Sequence, residues 1–216
     1  MLIAGIDEAG RGPCLGPMVL AVASIEKKEE ERLLEIGVKD SKLLSPKQRL
    51  EQFGQILGAL KEFATVHIEP NELDALMDWR SLNEIEAMKI GHLLNNLKEK
   101  PEIVFVDAPD VIEGNFSKRI RKYIDFDVTL RSEHKADFNY PIVSSASIIA
   151  KVERDRRIDE LAKEFGCIGS GYPHDPLTIA FVKNWMKTHK ELPHFARKAW
   201  GTNKRIEAEA FQKKLF

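Results

Sequence analysis

Two short apolar runs that each end at an aspartate constrain the fold of this chain most strongly. LIAGID at 2–7 ends at Asp7, and IVFVD at 103–107 ends at Asp107. Around them lie longer stretches in which apolar residues recur with the period of a helix. Such alternation of short apolar runs with helical patterns is typical of an α/β protein. The length of 216 residues suits one domain, or one domain with a small extension.

Five short runs predict strands, at 2–7, 18–25, 64–69, 103–107 and 127–132. The first two are close enough in sequence to form an antiparallel pair, joined by a loop rich in glycine and proline. The fourth run is apolar throughout, so we expect it to be buried on both faces. The fifth alternates and is expected nearer an edge of the sheet.

Capping signals mark the helices. Ser45 with Gln48 and Ser81 with Glu84 each predict a capping box. The inward faces of these two helices are predicted to carry Leu50, Phe53, Leu57 and Leu60, and Leu82, Ile85, Met88, Leu93 and Leu97. Further helices are predicted at 27–37, at 141–166 with Gly166 as its cap, after Asp175, and at about 202–214.

Composition and missing motifs exclude several classes of protein. Cys14 and Cys167 form no CxxC pair and no zinc spacing, which indicates two inert thiols in a reducing compartment. No apolar run reaches the ~20 residues of a membrane span, and the start lacks the basic segment of a signal peptide. We therefore expect a soluble, cytoplasmic protein without membrane contact. The motifs HExxH, GxGxxG and GxSxG are absent, as is a P-loop lysine, which removes the common hydrolase, kinase and dehydrogenase classes.

Charge is unevenly distributed along the chain. Residues 1–150 carry 19 Lys and Arg against 25 Asp and Glu, a net of −6, whereas residues 151–216 carry 14 against 9, a net of +5. This asymmetry suits carboxylate or metal chemistry in one part and polyanion binding in the other. Charged helical surfaces alone would also produce it.

The acidic residues at the strand ends are candidate metal ligands. If the two strands are neighbours, Asp7 and Asp107 lie side by side, with Glu8 next to them. Carboxylates that close repel one another unless a cation neutralises them, and hard oxygen ligands suit Mg²⁺ or Mn²⁺. The alternative is that Asp7 and Asp107 only cap turns. Asp137, before the longest helix, is a further acidic candidate that a capping role would also explain.

Two loops are candidates for substrate contact. In the first, Gly10 and Gly12 would let a ligand approach the backbone, and Arg11 offers donors to a phosphate. A tight turn would also explain Gly-Arg-Gly. In the second, Tyr172 lies between a glycine and a proline, where it would either stack on a sugar or base or pack as a half-buried loop residue.

Taken together, these segments resemble the ordered motifs of ribonuclease HII, the type 2 ribonuclease H, and most of all its archaeal branch. The resemblance rests on IDEAGRG at 6–12, DSKLLS at 40–45, VFVDAP at 104–109, HKADFNYPIVSSASIIAKVERDR at 134–156 and SGYPHDP at 170–176. It implies a ribonuclease H-like fold, with a five-stranded mixed sheet flanked by helices. A catalytic domain is expected over 1–170, with a C-terminal helical extension over 171–216 packed on it. The short amino terminus argues against the related ribonuclease HIII, which carries an extra substrate-binding domain.

The resemblance also implies an activity. The family hydrolyses the RNA strand of RNA–DNA hybrids and cuts 5′ of single ribonucleotides in duplex DNA, with two Mg²⁺ or Mn²⁺ ions, leaving 5′-phosphate and 3′-hydroxyl ends. It implies catalytic metal ligands at Asp7, Glu8, Asp107 and Asp137. It implies substrate contacts at Gly10, Arg11 and Gly12, which read the 2′-hydroxyl, at Tyr172, which packs on the next deoxyribose, and at Lys42 and Lys151, near the phosphates. A monomer is expected.

Two rival functions remain open on the sequence. Another nuclease on the same sheet, such as a junction resolvase, would also use clustered carboxylates but would not need the Gly-Arg-Gly and SGYP elements. A non-catalytic module that binds hybrids would be expected to lose at least one of the four acids, and all four are present.

The basic end of the chain has three candidate roles. Residues 183–216 hold nine Lys and Arg against three Asp and Glu, a net of +6, interleaved with Trp185, Met186, Trp200 and Phe211. The segment would be a helical cap on the core, a surface for duplex DNA, or a tail for a partner. The last five residues, QKKLF at 212–216, resemble the start of a sliding-clamp-binding box, although the paired aromatics of such a box are missing.

Overall fold

A five-stranded mixed sheet organises the chain. The computed structural model describes residues 1–38, 44–110 and 112–211. Within these residues the strands are β1 (Leu2–Ala9), β2 (Met18–Glu26), β3 (Glu62–Ile68), β4 (Ile103–Asp107) and β5 (Thr129–Glu133). Their order in the sheet is β3-β2-β1-β4-β5. β1 pairs antiparallel with β2 and parallel with β4, and β4 pairs parallel with β5. The five predicted strands, the antiparallel first pair and the edge position of the fifth are confirmed.

Helices lie between most of the strands along the chain and follow the last of them. After a single 3₁₀ turn at Lys27–Glu29, they are α1 (Glu31–Ile36), α2 (Pro46–Ala59), α3 (Pro70–Met77), α4 (Leu82–Asn95), α5 (Glu113–Arg121), α6 (Ala136–Asn139), α7 (Pro141–Phe165), α8 (Pro176–His189) and α9 (Gly201–Phe211). The helix predicted at 27–37 is therefore split, and α3, α5 and α6 were not predicted. In the described part of the chain, none of the helices is long and apolar enough to cross a membrane.

The structure confirms two of the predicted helix caps and contradicts one capping box. Ser45 and Gln48 form the expected capping box at α2, and Asp175 caps α8. Ser81 accepts a hydrogen bond from the backbone N–H of Glu84 at 3.3 Å. The carboxylate of Glu84, however, accepts from Tyr123 at 2.7 Å and from an arginine of α5. The second capping box is therefore wrong, because tertiary partners take the side chain that would have completed it.

The predicted inward face of α2 is also partly wrong. Leu50 is 54% exposed, whereas Ile56, which was not included, is fully buried beside Phe53. The buried face of α2 therefore includes Ile56 and does not include Leu50. The prediction for α4 holds better, since Ile85, Leu93 and Leu97 are buried and Leu82 and Met88 are half-buried.

The chain forms two compact units, each with its own apolar core. The first unit comprises 1–9, 19–66 and 81–153, and the second comprises 10–18, 67–80 and 154 onward. Residues of β1, β2, α2 and α7 fill the core of the first unit. Residues of the loop after β1, the end of α7, α8 and α9 fill the core of the second. The expected domain boundary at residue 170 stays a prediction.

Candidate active site

The parallel pairing of β1 with β4 places two acidic residues at neighbouring strand ends. Ile6 lies opposite Val106 in this pair, so the next residue of each strand is Asp7 or Asp107. Asp7 is only 5% exposed, and Glu8 and Asp107 are half-buried. The backbone N–H of Glu8 donates to Asp7 Oδ1 at 2.8 Å. The first unit thus gathers three predicted carboxylates.

Burial and like charge act together on Asp7. Burial raises the pKa of Asp7 well above its ordinary value, and the charges of Glu8 and Asp107 raise it further. Hydrogen bonds from the hydroxyl of Ser147 and from the backbone of Glu8 oppose these effects. A buried site in which like charges crowd one another favours the binding of a cation.

The fourth predicted acid, Asp137, is 4% exposed in the first turn of α6. The N-cap of this helix is Lys135, whose φ of 57° is the left-handed conformation that non-glycine residues seldom adopt. The turn points the backbone N–H of Ala136 at Asp107 Oδ1, 2.8 Å away. Asp107 is therefore bonded to the residue that precedes Asp137, and Asp137 does not cap α6.

Two residues of α7 support Asp7. Ser147 is fully buried, and its hydroxyl hydrogen-bonds Asp7. One turn further along, Lys151 Nζ donates to Ser147 Oγ at 2.9 Å. Lys151, predicted to contact phosphate, thus lies one hydroxyl group away from Asp7. Sequence reasoning missed Ser147, although its spacing of four residues from Lys151 on a helix is a signal that such side chains meet.

The carboxylates fit divalent metal ions by their chemistry. They are hard oxygen donors of the kind that Mg²⁺ and Mn²⁺ prefer, and Asp7 is buried with the like charges of Glu8 and Asp107 next to it. In residues 1–38, 44–110 and 112–211, no group of three or more His, Cys, Asp and Glu side chains is arranged so that it could hold a metal ion as it stands.

The Gly-Arg-Gly loop lies in the second unit, and its backbone is tightly held. Gly10 has a φ of 82°, and a Cβ there would come within 2.6 Å of the side chain of Arg154, so only glycine fits. The carbonyls of Gly10 and Arg11 accept hydrogen bonds from Arg197 at 2.6 and 3.2 Å. Gly12, next in the chain, is exposed.

Tyr172 lies beside this loop within the same unit. A Cβ on Gly12 would be 3.9 Å from Cε1 of Tyr172. The ring is half-buried, and the guanidinium of Arg154 stacks 4.9 Å from its centroid. The structure thus brings Gly12 and Tyr172 together. Lys42, the remaining predicted phosphate contact, falls outside the described residues.

The basic end packs its aromatic residues as a cap would. Trp200 lies against the core of the second unit, Trp185 packs edge-on to Phe165 with ring centroids 5.8 Å apart, and Met186 is buried. Phe211, at the end of α9, is 58% exposed. The clamp-like segment at 212–216 falls outside the described residues, and the role in duplex binding stays a prediction.

The chain matches known proteins over nearly its whole length. The profile of the family described as Ribonuclease HII matches residues 4–203. The chain is 44% identical over 206 residues to the Ribonuclease HII of Thermococcus kodakarensis, covering 95% of this chain and 90% of that protein. It is also 44% identical over 213 residues to the Ribonuclease HII of Pyrococcus horikoshii, covering 99% and 96%.

Solved structures agree with these sequence relatives. The ribonuclease H2 of Pyrococcus horikoshii superposes with a TM-score of 0.93 at 43% identity, covering 99% of this chain and 100% of that one. The ribonuclease HII of Archaeoglobus fulgidus, solved in a complex with PCNA, superposes with a TM-score of 0.85 at 38% identity, covering 100% and 98%.

These likenesses identify the class of the protein and, within it, the family. The fold, together with relatives named Ribonuclease HII over nearly the full length, identifies a metal-dependent endoribonuclease that acts on the RNA of RNA–DNA hybrids. Within that class the chain belongs to the ribonuclease HII family, in its archaeal type.

Proposed function

We propose that this enzyme, besides hydrolysing the RNA strand of RNA–DNA hybrids, cuts 5′ of single ribonucleotides embedded in duplex DNA and leaves 5′-phosphate and 3′-hydroxyl ends. The observation that carries the proposal is the buried Asp7, crowded by Glu8 and Asp107 at the end of two parallel strands. Such crowding is unfavourable for the fold, and divalent ions that take part in the reaction would account for it.

Four residues are assigned to hold two ions of Mg²⁺ or Mn²⁺, and these are Asp7, Glu8, Asp107 and Asp137. When bound, the ions supply an activated water for in-line attack on phosphorus and stabilise the leaving 3′ oxygen. Ser147 holds Asp7 through its hydroxyl, and Lys151 holds Ser147. The bond from Ser147 opposes the rise in the pKa of Asp7, and the two bonds together orient its carboxylate.

Recognition is assigned to the two loops of the second unit. Only the 2′-hydroxyl distinguishes an embedded ribonucleotide from its neighbours. Gly10, Arg11 and Gly12 are proposed to read that hydroxyl, and Tyr172 to pack on the deoxyribose that follows it. The exposed backbone of Gly12 beside the half-buried ring of Tyr172 supports this assignment. Lys42 and Lys151 are proposed to lie near the phosphates.

The C-terminal tail is proposed to bind a sliding clamp, while the enzyme itself works as a cytoplasmic monomer. The structure of the Archaeoglobus fulgidus relative in complex with PCNA supports the first part. Truncation after Phe211 tests it, because Asn203 and Ile206 are buried and an earlier truncation would remove part of the core. Clamp association in a pull-down should be lost, with cleavage of free duplex intact. If the truncated protein lost cleavage of free duplex as well as clamp binding, the tail would not be a segment that serves clamp binding alone.

One assay tests the main proposal. A duplex DNA with a single ribonucleotide is incubated with Mg²⁺, Mn²⁺ or EDTA, and the cut position and the end groups are mapped. We expect a cut 5′ of the ribonucleotide with either metal and none with EDTA. An all-DNA duplex and a four-way junction are the controls, and cutting of the junction alone would favour a resolvase.

A further inference from the structure

A fully buried arginine holds the Gly-Arg-Gly loop from within the second unit. Arg197 has no exposed surface. Its guanidinium donates to the carbonyls of Gly10 at 2.6 Å, Arg11 at 3.2 Å and Gly16 at 2.9 Å. A planar guanidinium with several N–H groups in a fixed arrangement can donate to three carbonyls at once in one defined geometry.

The segment that carries Arg197 is itself fixed to the same loop. The backbone N–H of Arg197 donates to the carbonyl of Cys14 at 3.0 Å, and Gly16 donates to Phe195 at 2.8 Å. Asn203 Nδ2 also donates to the carbonyl of Cys14, at 2.8 Å. The ring of Trp200 stacks 4.7 Å from the guanidinium. These bonds fix the position of Arg197 against the loop residues that its guanidinium contacts.

A second buried arginine contacts both substrate-reading elements. Arg154 is 4% exposed. Its side chain packs against Gly10 so closely that a Cβ on that glycine would come within 2.6 Å of it. Its guanidinium stacks 4.9 Å from the centroid of Tyr172 and donates to the carbonyl of Ser170 at 2.9 Å. Movement of Arg154 would thus be transmitted to the glycine loop and to the tyrosine together.

Burying two cations near one another opposes folding. Burial lowers the pKa of Arg197 to about 10, and the charge of Arg154 contributes in the same direction. The contacts that both arginines make with the two loops compensate for this repulsion, since hydrogen bonds from a charged donor are stronger than neutral ones. Together they fix the geometry between Gly12 and Tyr172.

We propose that Arg154 and Arg197 are positioning residues that hold the Gly-Arg-Gly loop and the Tyr172 ring in register, and so determine selectivity for an RNA-to-DNA junction. The inference rests on the proposed roles of the two loops. The guanidinium of Arg197 fixes the backbone of the Gly-Arg-Gly loop through its hydrogen bonds. The guanidinium of Arg154 fixes the orientation of the Tyr172 ring by packing on its face. A displacement of about 1 Å between such elements can cost about a hundredfold in a reaction that depends on their alignment.

The test uses a duplex in which a short run of ribonucleotides is followed by deoxyribonucleotides. Arg154→Lys and Arg197→Lys keep the positive charge but lose the planar fork. Arg157→Lys is the matched control, because Arg157 lies on the same helix but pairs with Glu69 and Glu160 instead of the loops. We expect wild type and the control to cut mainly at the junction. Both test variants should spread their cuts along the ribonucleotides, with the ratio of junction to other cuts reduced about tenfold or more.

A double-mutant cycle separates this role from a purely structural one. In a Tyr172→Ala background, Arg154→Lys should change the cut distribution less than it does in wild type, because the part of its effect that passes through the ring is already lost and only the part through Gly10 remains. A structural role alone would lower the rate on every substrate without moving the cuts. Circular dichroism checks that each variant folds. If a lysine variant fails to fold, Trp200→Leu, which loosens the support of Arg197, replaces it with the same expectation.

Each outcome bears on one proposal. If wild type cuts without preference for the junction, the proposed function of the loops fails. If wild type prefers the junction and the folded arginine variants keep its cut distribution, the positioning role is overturned and the proposed function stands. If Arg154→Lys changed the cut distribution as much in the Tyr172→Ala background as in wild type, the route through the ring would also be overturned.

Discussion

The two compact units bury charge of opposite sign, and they use it differently. In the first unit, Asp7 is buried beside Glu8 and Asp107, and burial first, then repulsion from these two charges, raises its pKa. In the second unit, Arg154 and Arg197 are buried, and their guanidinium groups donate to loop carbonyls. In the first unit, buried negative charges repel one another, and we propose that a cation relieves this repulsion. In the second unit, buried positive charges hold the loops through hydrogen bonds.

This difference predicts opposite responses to substitution. Neutralising an acid of the first unit removes a repulsion, so the chemistry should be lost without loss of stability. Removing an arginine of the second unit leaves buried carbonyls without donors, so stability should fall.

The largest effect is expected for Asp7→Asn. We expect cleavage to fall by at least two to three orders of magnitude, roughly the loss seen when one charge-stabilising group of an active site is removed. The free energy of unfolding of the metal-free protein should be unchanged or higher, because crowding of negative charge is relieved. Single-turnover cleavage and urea denaturation measure the two quantities.

A matched control is available in the same unit. Asp127 is fully exposed and pairs with Arg121, so Asp127→Asn should leave both cleavage and stability near those of wild type. Near-normal cleavage by folded Asp7→Asn protein would remove Asp7 from the metal site.

Next in size is the loss of stability expected for Arg197→Met. The substitution keeps most of the volume of the side chain but leaves the carbonyls of Gly10, Arg11 and Gly16 without their donor. We expect about 2–4 kcal/mol less free energy of unfolding, since each buried group left unsatisfied costs about 1–3 kcal/mol. In the control Arg157→Met, partly exposed ion pairs are lost and about 1 kcal/mol or less is expected. Equal losses in the two variants would contradict the role assigned to Arg197.

A smaller effect on cleavage is expected for Ser147→Ala. The hydroxyl of Ser147 links Asp7 to Lys151, so its removal leaves the carboxylate less firmly held. We expect about a tenfold loss of kcat, equivalent to about 1.4 kcal/mol, with KM little changed. Ser145→Ala is the control, because Ser145 is also buried on α7 but donates to the carbonyl of Pro141. An unchanged kcat for Ser147→Ala would show that the bond does not matter for the reaction.

The smallest effect is expected at Asp175, and it should depend on pH. Hydrogen bonds, first of all from Ser170, lower the pKa of Asp175 from 3.8 to about 2. Because the folded-state pKa is depressed, the contribution of Asp175 is present above pH 4 and is lost as pH falls from about 4 toward 2. At pH 7, Asp175→Ala should lower the free energy of unfolding by about 1 kcal/mol through loss of the N-cap. Urea denaturation at several pH values checks this, and a difference from wild type that persists at pH 2 would contradict it.

The two units also differ in how far the sequence predicted them. The apolar runs that end at Asp7 and Asp107 predicted two strands with carboxylates at their ends, because apolar runs and their end residues are local signals. That the two strands are neighbours came from the structure. Leu50 was assigned to the wrong side of its helix, because the core of the first unit selects Ile56 instead. Arg197 was missed altogether, since arginine is seldom fully buried and its loop partners lie about 180 residues away in sequence.

The division of labour between the units is tested most directly by mapping cut positions and rates together. On the duplex with ribonucleotides followed by DNA, Asp107→Asn should lower the rate while its residual cuts stay at the junction. Tyr172→Ala should move the cuts away from the junction and keep most of its rate on a continuous RNA–DNA hybrid. If Asp107→Asn moved the cuts, or if Tyr172→Ala slowed both substrates equally without moving them, chemistry and recognition would not be divided as described.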